Sequence, residues 1–116
     1  MKDTIEIKKT LQNVGIYPNV KGYHYLAEAI RIVKETAEKG GIFDKYTALY
    51  ALIGRKYQAS AGSVERAIRV AVNIGFTNRT ALYLDLFGAN FTEAPPCTSC
   101  FVSVLAEHIM FRSKEE

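Results

Sequence analysis

The sequence predicts an all-α protein, a compact bundle of about six helices containing a helix-turn-helix. Three observations carry that expectation. Apolar residues recur at helical spacing in successive windows, almost nothing reads as strand, and glycine, proline or capping residues punctuate the chain between those windows. The 116 residues, 48% of them hydrophobic, are enough to bury one core without staples, and no repeat, low-complexity tract or long linker divides the expected single domain, 1–116.

The first helix is expected from about Thr4 to Val14, capped by Asp3 or Thr4, with Ile7, Leu11 and Val14 on one face and Gly15 as its end. Pro18 keeps the connector extended. The second has the clearest stripe, Leu26, Ala29, Ile30, Val33 and Ala37, with Glu28, Arg31, Glu35 and Glu38 on the polar side and Gly40–Gly41 as its stop. A third runs from Asp44 to about Tyr57, carrying Leu49, Leu52, Ile53 and Tyr57. After the small, polar run 58–62, Ser63 reads as the cap of a fourth helix, which turns Val64, Ala67, Ile68, Ala71 and Val72 inward and ends near Gly75. A short fifth covers Thr80 to Phe87, closed by Gly88. The sixth follows Pro95 and Pro96, with Thr98 or Ser99 as cap and Phe101, Val104, Leu105, His108 and Arg112 on one side.

Composition then excludes several classes. No apolar run approaches the roughly 18 residues of a membrane span. Met1 to Thr10 alternates charge with isoleucine and has no signal-peptide core, so a cytoplasmic chain is expected. Two cysteines cannot build a disulfide framework. The formal charge of +3 is mild, but its placement is uneven. Arg55, Lys56, Arg66, Arg69 and Arg79 stand against the single acid Glu65, a local +4, whereas the remaining ten basic and eleven acidic groups leave −1 elsewhere. Such an asymmetry suits a surface that faces phosphate; a solvated helix face is the alternative.

The third and fourth helices carry the DNA-binding pattern. A helix-turn-helix needs a small residue where its two helices approach and an apolar inner stripe on the second. Gly54 supplies the first, Val64 with Ala67 or Ile68 supply the second, and Ile53 and Tyr57 precede the turn as apolar anchors. With those inward, the 100° rotation per residue turns Gly62, Glu65, Arg66, Arg69 and Asn73 outward along one stripe. Arginine can donate twice to the O6 and N7 of guanine, Asn can pair with adenine, and Glu can accept from the cytosine amino group. Arg55 and Lys56 lie nearer the backbone, where they would hold phosphates. Spacing of this kind recurs in helical proteins that bind no DNA.

The run Ser63-Val64-Glu65-Arg66-Ala67-Ile68-Arg69, together with Val20-Lys21-Gly22-Tyr23, Tyr25-Leu26, Glu28-Ala29-Ile30 and Leu86-Phe87-Gly88, resembles the DNA-binding effector domain of the stage-zero sporulation master regulator of endospore-forming Firmicutes. The likeness extends from about Asp3 to Arg112 with the same order of six helices. It implies a recognition helix at about 63–75 that enters the major groove of a double-stranded DNA operator and regulates transcription at the start of sporulation, without a cofactor. Base-reading roles are implied for Glu65 and Arg66 and a DNA-facing role for Arg69; Asn73 joins them on the same stripe, and Ser63 and Arg79 join Arg55 and Lys56 as phosphate contacts. A second copy, bound in tandem, and RNA polymerase are the further partners expected.

The family usually has arginine where this chain has Ser63, histidine where it has Val70 and alanine where it has Gly54. Loss of two contacts would weaken DNA binding by an amount on the order of a few kcal/mol and flatten its salt dependence. The family's regulators normally carry an N-terminal receiver with a phosphoacceptor aspartate, and this chain is expected to hold the effector alone, as a fragment or as a free-standing protein. The alternative function is therefore an interaction module that modulates a full-length regulator.

Cys97-Thr98-Ser99-Cys100 is a C-x-x-C at a helix start, where the helix dipole lowers a thiol pKa. A structural zinc site needs four ligands, and no second C-x-x-C accompanies it; His108, eight residues after Cys100, lies about 12 Å along the helix. Capping or packing is expected of the pair, packing of His108, and core packing of most of the seven tyrosines. No nucleophile with an adjacent base, no paired carboxylates and no phosphate-cradling glycine loop are apparent, so no enzyme and no metal site are expected.

Overall fold

The computed structural model describes residues 2–88 and 93–115, and in it helix begins at the first of them. Helix α1 covers Lys2–Asn13, α2 Tyr23–Glu38, α3 Tyr46–Tyr57, α4 Ala61–Asn78, α5 Ala81–Phe87 and α6 Thr98–Glu115; no strand forms among the described residues. The protein is an all-α bundle in the predicted order.

Helix α2 lies at its centre and touches α1, α3, α4 and α6. Its Leu26, Ala29, Ile30 and Val33 bury against Ile7 and Leu11 of α1, Ile53 of α3, Ile68 of α4 and Phe101, Leu105 and Ile109 of α6 in one apolar cluster. An aromatic run extends that core to α5. Phe76 meets Tyr83 edge-on at 6.2 Å between ring centroids, Tyr83 meets Phe87 at 5.1 Å, and Phe87 stacks on Phe101 at 5.2 Å. No helix among the described residues is long and apolar enough to cross a membrane.

Several boundaries differ from the sequence expectation, each for a local reason. Asp3 and Thr4 lie inside α1 and do not cap it; Asp3 instead accepts a hydrogen bond from Lys34. Helix α3 starts at Tyr46, two residues later than Asp44. Helix α4 starts at Ala61, and its cap is Ser60, whose hydroxyl accepts from the Ser63 N–H at 3.1 Å. That helix also runs three residues past Gly75. It does so because Asn78 donates to the Gly15 carbonyl at 2.7 Å, which anchors the last turn to the loop after α1, and because Arg79, at φ 47°, then makes the left-handed stop. Thr80, expected as the first residue of the fifth helix, instead caps α5, and its hydroxyl also donates to the Asn13 carbonyl at 2.6 Å. Gly88 keeps helical dihedrals, so it follows α5 without a left-handed turn. Thr98 is the first helical residue of α6, so neither it nor Ser99 is the cap; the Cys97 carbonyl accepts the first bond, from the Phe101 N–H at 3.0 Å.

Individual faces differ as well. Ala37, Leu52 and Tyr57, apolar residues of the predicted helical stripes, are exposed, Leu52 at 47%. Glu28, assigned to the polar side of α2, is buried, and so is Lys34. Of the tyrosines, Tyr23 and Tyr83 are core residues, Tyr25, Tyr46 and Tyr50 are half-buried, and Tyr17 and Tyr57 are exposed. His108 is half-buried between Leu105 and Ile109, as its position implied.

Candidate nucleic-acid interface

Helices α3 and α4 are joined by three residues, 58–60, and pack against each other, which is the connection a helix-turn-helix requires. Gln58 takes a left-handed conformation at φ 57° and ends α3, and the Ala59 N–H donates to the Gly54 carbonyl at 2.8 Å. The turn therefore folds back onto Gly54. A Cβ there would collide with the Ala59 carbonyl oxygen, so the small residue serves the turn rather than the helix crossing for which it was singled out. A second close approach fixes α4 from the other side. Gly22, at the start of α2, lies against the backbone of Ala67, whose carbonyl oxygen any Cβ at 22 would strike. This gives the Val20-Lys21-Gly22-Tyr23 run a physical role: it lets the α2 N-terminus seat directly on α4.

Anchored in this way, α4 buries Val64, Ala67, Ile68, Ala71 and Val72 and presents the opposite stripe. Gly62, Arg66, Arg69 and Asn73 are exposed and Glu65 is half-buried, as the helical wheel places them. Their electrostatics differ. Arg69 pairs with Glu65 one turn earlier, Nη1 to Oε2 at 2.9 Å. Arg66 has no ion pair among the described residues, and its guanidinium extends along the helix toward Gly62. Val70, where the resembled family has histidine, is 55% exposed on the same surface.

The expected phosphate contacts are distributed unequally. Arg55, in the last turn of α3, is exposed, with no ion pair among the described residues. Its neighbour Lys56 is engaged: its ammonium donates to Glu28 at 2.8 Å and lies 5.7 Å from the centroid of the Tyr57 ring. Glu28 also accepts from Arg31. Burial opposes ionisation of Glu28, but the hydrogen bonds from Lys56 and Arg31 outweigh it and hold the carboxyl below its ordinary value. The same pair raises the pKa of Lys56. Ser63 is drawn into the cap, where the Ser60 hydroxyl donates to its own at 2.9 Å. Arg79 sits at the far end of α4, about 20 Å along the axis from Arg66, with its guanidinium 5.3 Å from the Phe76 ring centroid.

A cleft of about 500 Å³ flanks the exposed stripe, a feature the sequence did not disclose. It is lined by Glu65, Arg69 and Asn73 of α4, Tyr46 and Tyr50 of α3, and residues 95–99 around the start of α6. Three of the four expected base-reading residues thus border a cavity as well as open solvent. The Glu65–Arg69 pair was legible as a Glu→Arg pair at i, i+4. The Glu28–Lys56 bond was not, since its partners lie 28 residues apart and only the packing of α2 on α3 joins them. Among the described residues no group of three or more His, Cys, Asp or Glu side chains is placed to hold a metal ion.

The connection of α3 to α4 and the outward basic stripe are consistent with a helix-turn-helix. The family model described as sporulation initiation factor Spo0A C terminal matches residues 7–109, nearly the whole chain. The chain belongs to that family of DNA-binding effector domains of sporulation transcription regulators.

Proposed function

We propose that the protein is a sequence-specific DNA-binding transcription regulator whose α4 enters the major groove. The observation that carries this is the exposed stripe of α4, with Arg66, unpaired among the described residues, at its centre. A groove about 12 Å wide admits a helix presenting that stripe. Arg66 donates to a guanine, Glu65 accepts from a cytosine amino group, and Arg69 and Asn73 support them. Arg69 must first release Glu65, so the two residues exchange a bond within the helix for bonds to bases. Arg55 beside the turn and Arg79 at the opposite end of α4 hold phosphates on either side. Lys56 joins them by leaving Glu28, and Ser63 contributes through the α4 N-terminus. The reading places the protein in the cytoplasm, acting on an operator with a second copy in tandem and with RNA polymerase as the downstream partner.

Replacement of Arg66 by alanine tests this directly. It should cost about 1–3 kcal/mol on the operator and relax the preference at one base position, read by fluorescence anisotropy on duplexes substituted at each base pair. Equal loss on every duplex would make Arg66 a phosphate contact and remove it from base reading.

A further inference from the structure

The two cysteines flank the start of α6 in unlike settings. Cys97 precedes the helix and is exposed, and it borders the 500 Å³ cleft; Cys100, three residues on, is half-buried. Cys97 therefore does not pack in the core. Side chains three residues apart in a helical turn lie about 5–6 Å apart at Cβ, and a disulfide needs about 3.5–4.5 Å. Cys97 lies just outside the regular helix, so its side chain must rotate toward Cys100 to close that gap.

We propose that Cys97 and Cys100 form a redox-active dithiol, with Cys97 as the attacking thiol and Cys100 as the resolving one, and that its substrates are low-molecular-weight disulfides. The surroundings match the two roles. Cys97 Sγ lies 3.3 Å from the Ser99 hydroxyl, which, with the backbone N–H groups of Cys100 and Ser99, favours the thiolate and lowers its pKa. Burial, reinforced by the neighbouring Cys97, pushes the Cys100 thiol up, so it stays protonated until the first step is complete. The cleft gives a small disulfide room to approach Cys97 Sγ.

In the first step the Cys97 thiolate attacks one sulfur of the reagent RS–SR, forming a Cys97–S–S–R mixed disulfide and expelling RS⁻. In the second, Cys100 loses its proton and attacks Cys97 Sγ, forming the internal disulfide and expelling the second RS⁻. Both thiolates leave as RSH after protonation, so the two protein thiols are oxidised and one reagent disulfide is reduced.

Oxidised glutathione serves as the probe on the full chain, with acid quenching, alkylation and intact-mass analysis. The wild type should lose two hydrogens with no change in chain number. In the reduced protein Cys97 should alkylate at least about tenfold faster than Cys100 at pH 7. Cys100→Ser should trap one glutathionyl group on Cys97, and Cys97→Ser should trap none. Equal alkylation rates in the wild type, a wild type that stops at the mixed disulfide, or disulfides formed only between chains would each overturn the proposal. The alkylation rates and the mass of the oxidised wild type need no variant, so a poorly folding serine variant does not blunt the test.

Discussion

Glu28 shows how one residue restrains a basic side chain of the candidate interface. It is buried on α2 yet ionised, because Arg31 donates from its own helix and Lys56 from α3. Its folded pKa is lowered from an ordinary value of 4.5, so its pairs contribute stability above about pH 4.5 that is lost as pH falls through the lower folded value. Between pH 7 and pH 3 the wild type should therefore lose more of its urea midpoint than Glu28→Gln, in which that titration is absent. Parallel losses in the two proteins would show that the Glu28 cluster contributes nothing to acid sensitivity. The nearby Lys34 follows the same logic: buried on α2, it remains charged because Glu38 and Asp3 lie at 2.9 and 3.2 Å. Neither burial was visible in the sequence. Helical periodicity places Glu28 and Lys34 at the edge of a stripe, and only the neighbouring helices, α3 for Glu28 and α1 for Lys34, decide that the edge is covered.

At the scale of the elements, periodicity located all six helices, since a stripe of four or five apolar residues outweighs any single ambiguous position. The ends were harder. Ser60 and Ser63 are both competent caps, and the choice depends on where the turn releases the chain, which Gln58 in its left-handed conformation determines. Ser60→Ala should accordingly cost about 1 kcal/mol in urea unfolding, and Ser63→Ala clearly less, because the Ser63 hydroxyl only accepts from Ser60. The reverse order would restore Ser63 as the cap. Gly75 misled for the opposite reason: glycine often ends a helix, but here Asn78 docks on Gly15 and carries the helix onward. The seating of α2 on α4 is the contact most sensitive to a single added atom. Gly22→Ala should destabilise the protein by about 1–3 kcal/mol, because the new Cβ meets backbone that cannot swing aside. An unchanged thermal midpoint would show that α2 can shift away from Ala67 without loss.

The whole molecule is electrically polarised, +4 between residues 55 and 79 against −1 elsewhere, and the fold arranges that segment as one helix pair with its basic groups outward. The candidate interface was legible at this scale because charge position and helical rotation, both read from sequence, agreed on the same stripe. The internal pairing within it was legible only in part. Arg69 and Lys56 are held by Glu65 and Glu28, so on the proposed reading two of the five basic groups would reach DNA only by exchanging a protein partner. On the proposed reading Arg55, Lys56 and Arg79 neutralise about three phosphates, so the slope of log K against log salt should be near −3. The most direct test of DNA reading is fluorescence anisotropy with the family's operator box and a scrambled duplex of equal length, titrated across salt. The operator should bind at least about tenfold more tightly at physiological ionic strength, with similar salt slopes for both duplexes. Indistinguishable binding to the two, or none to either, would contradict sequence-specific recognition by α4 and leave the interaction module as the function of this fold.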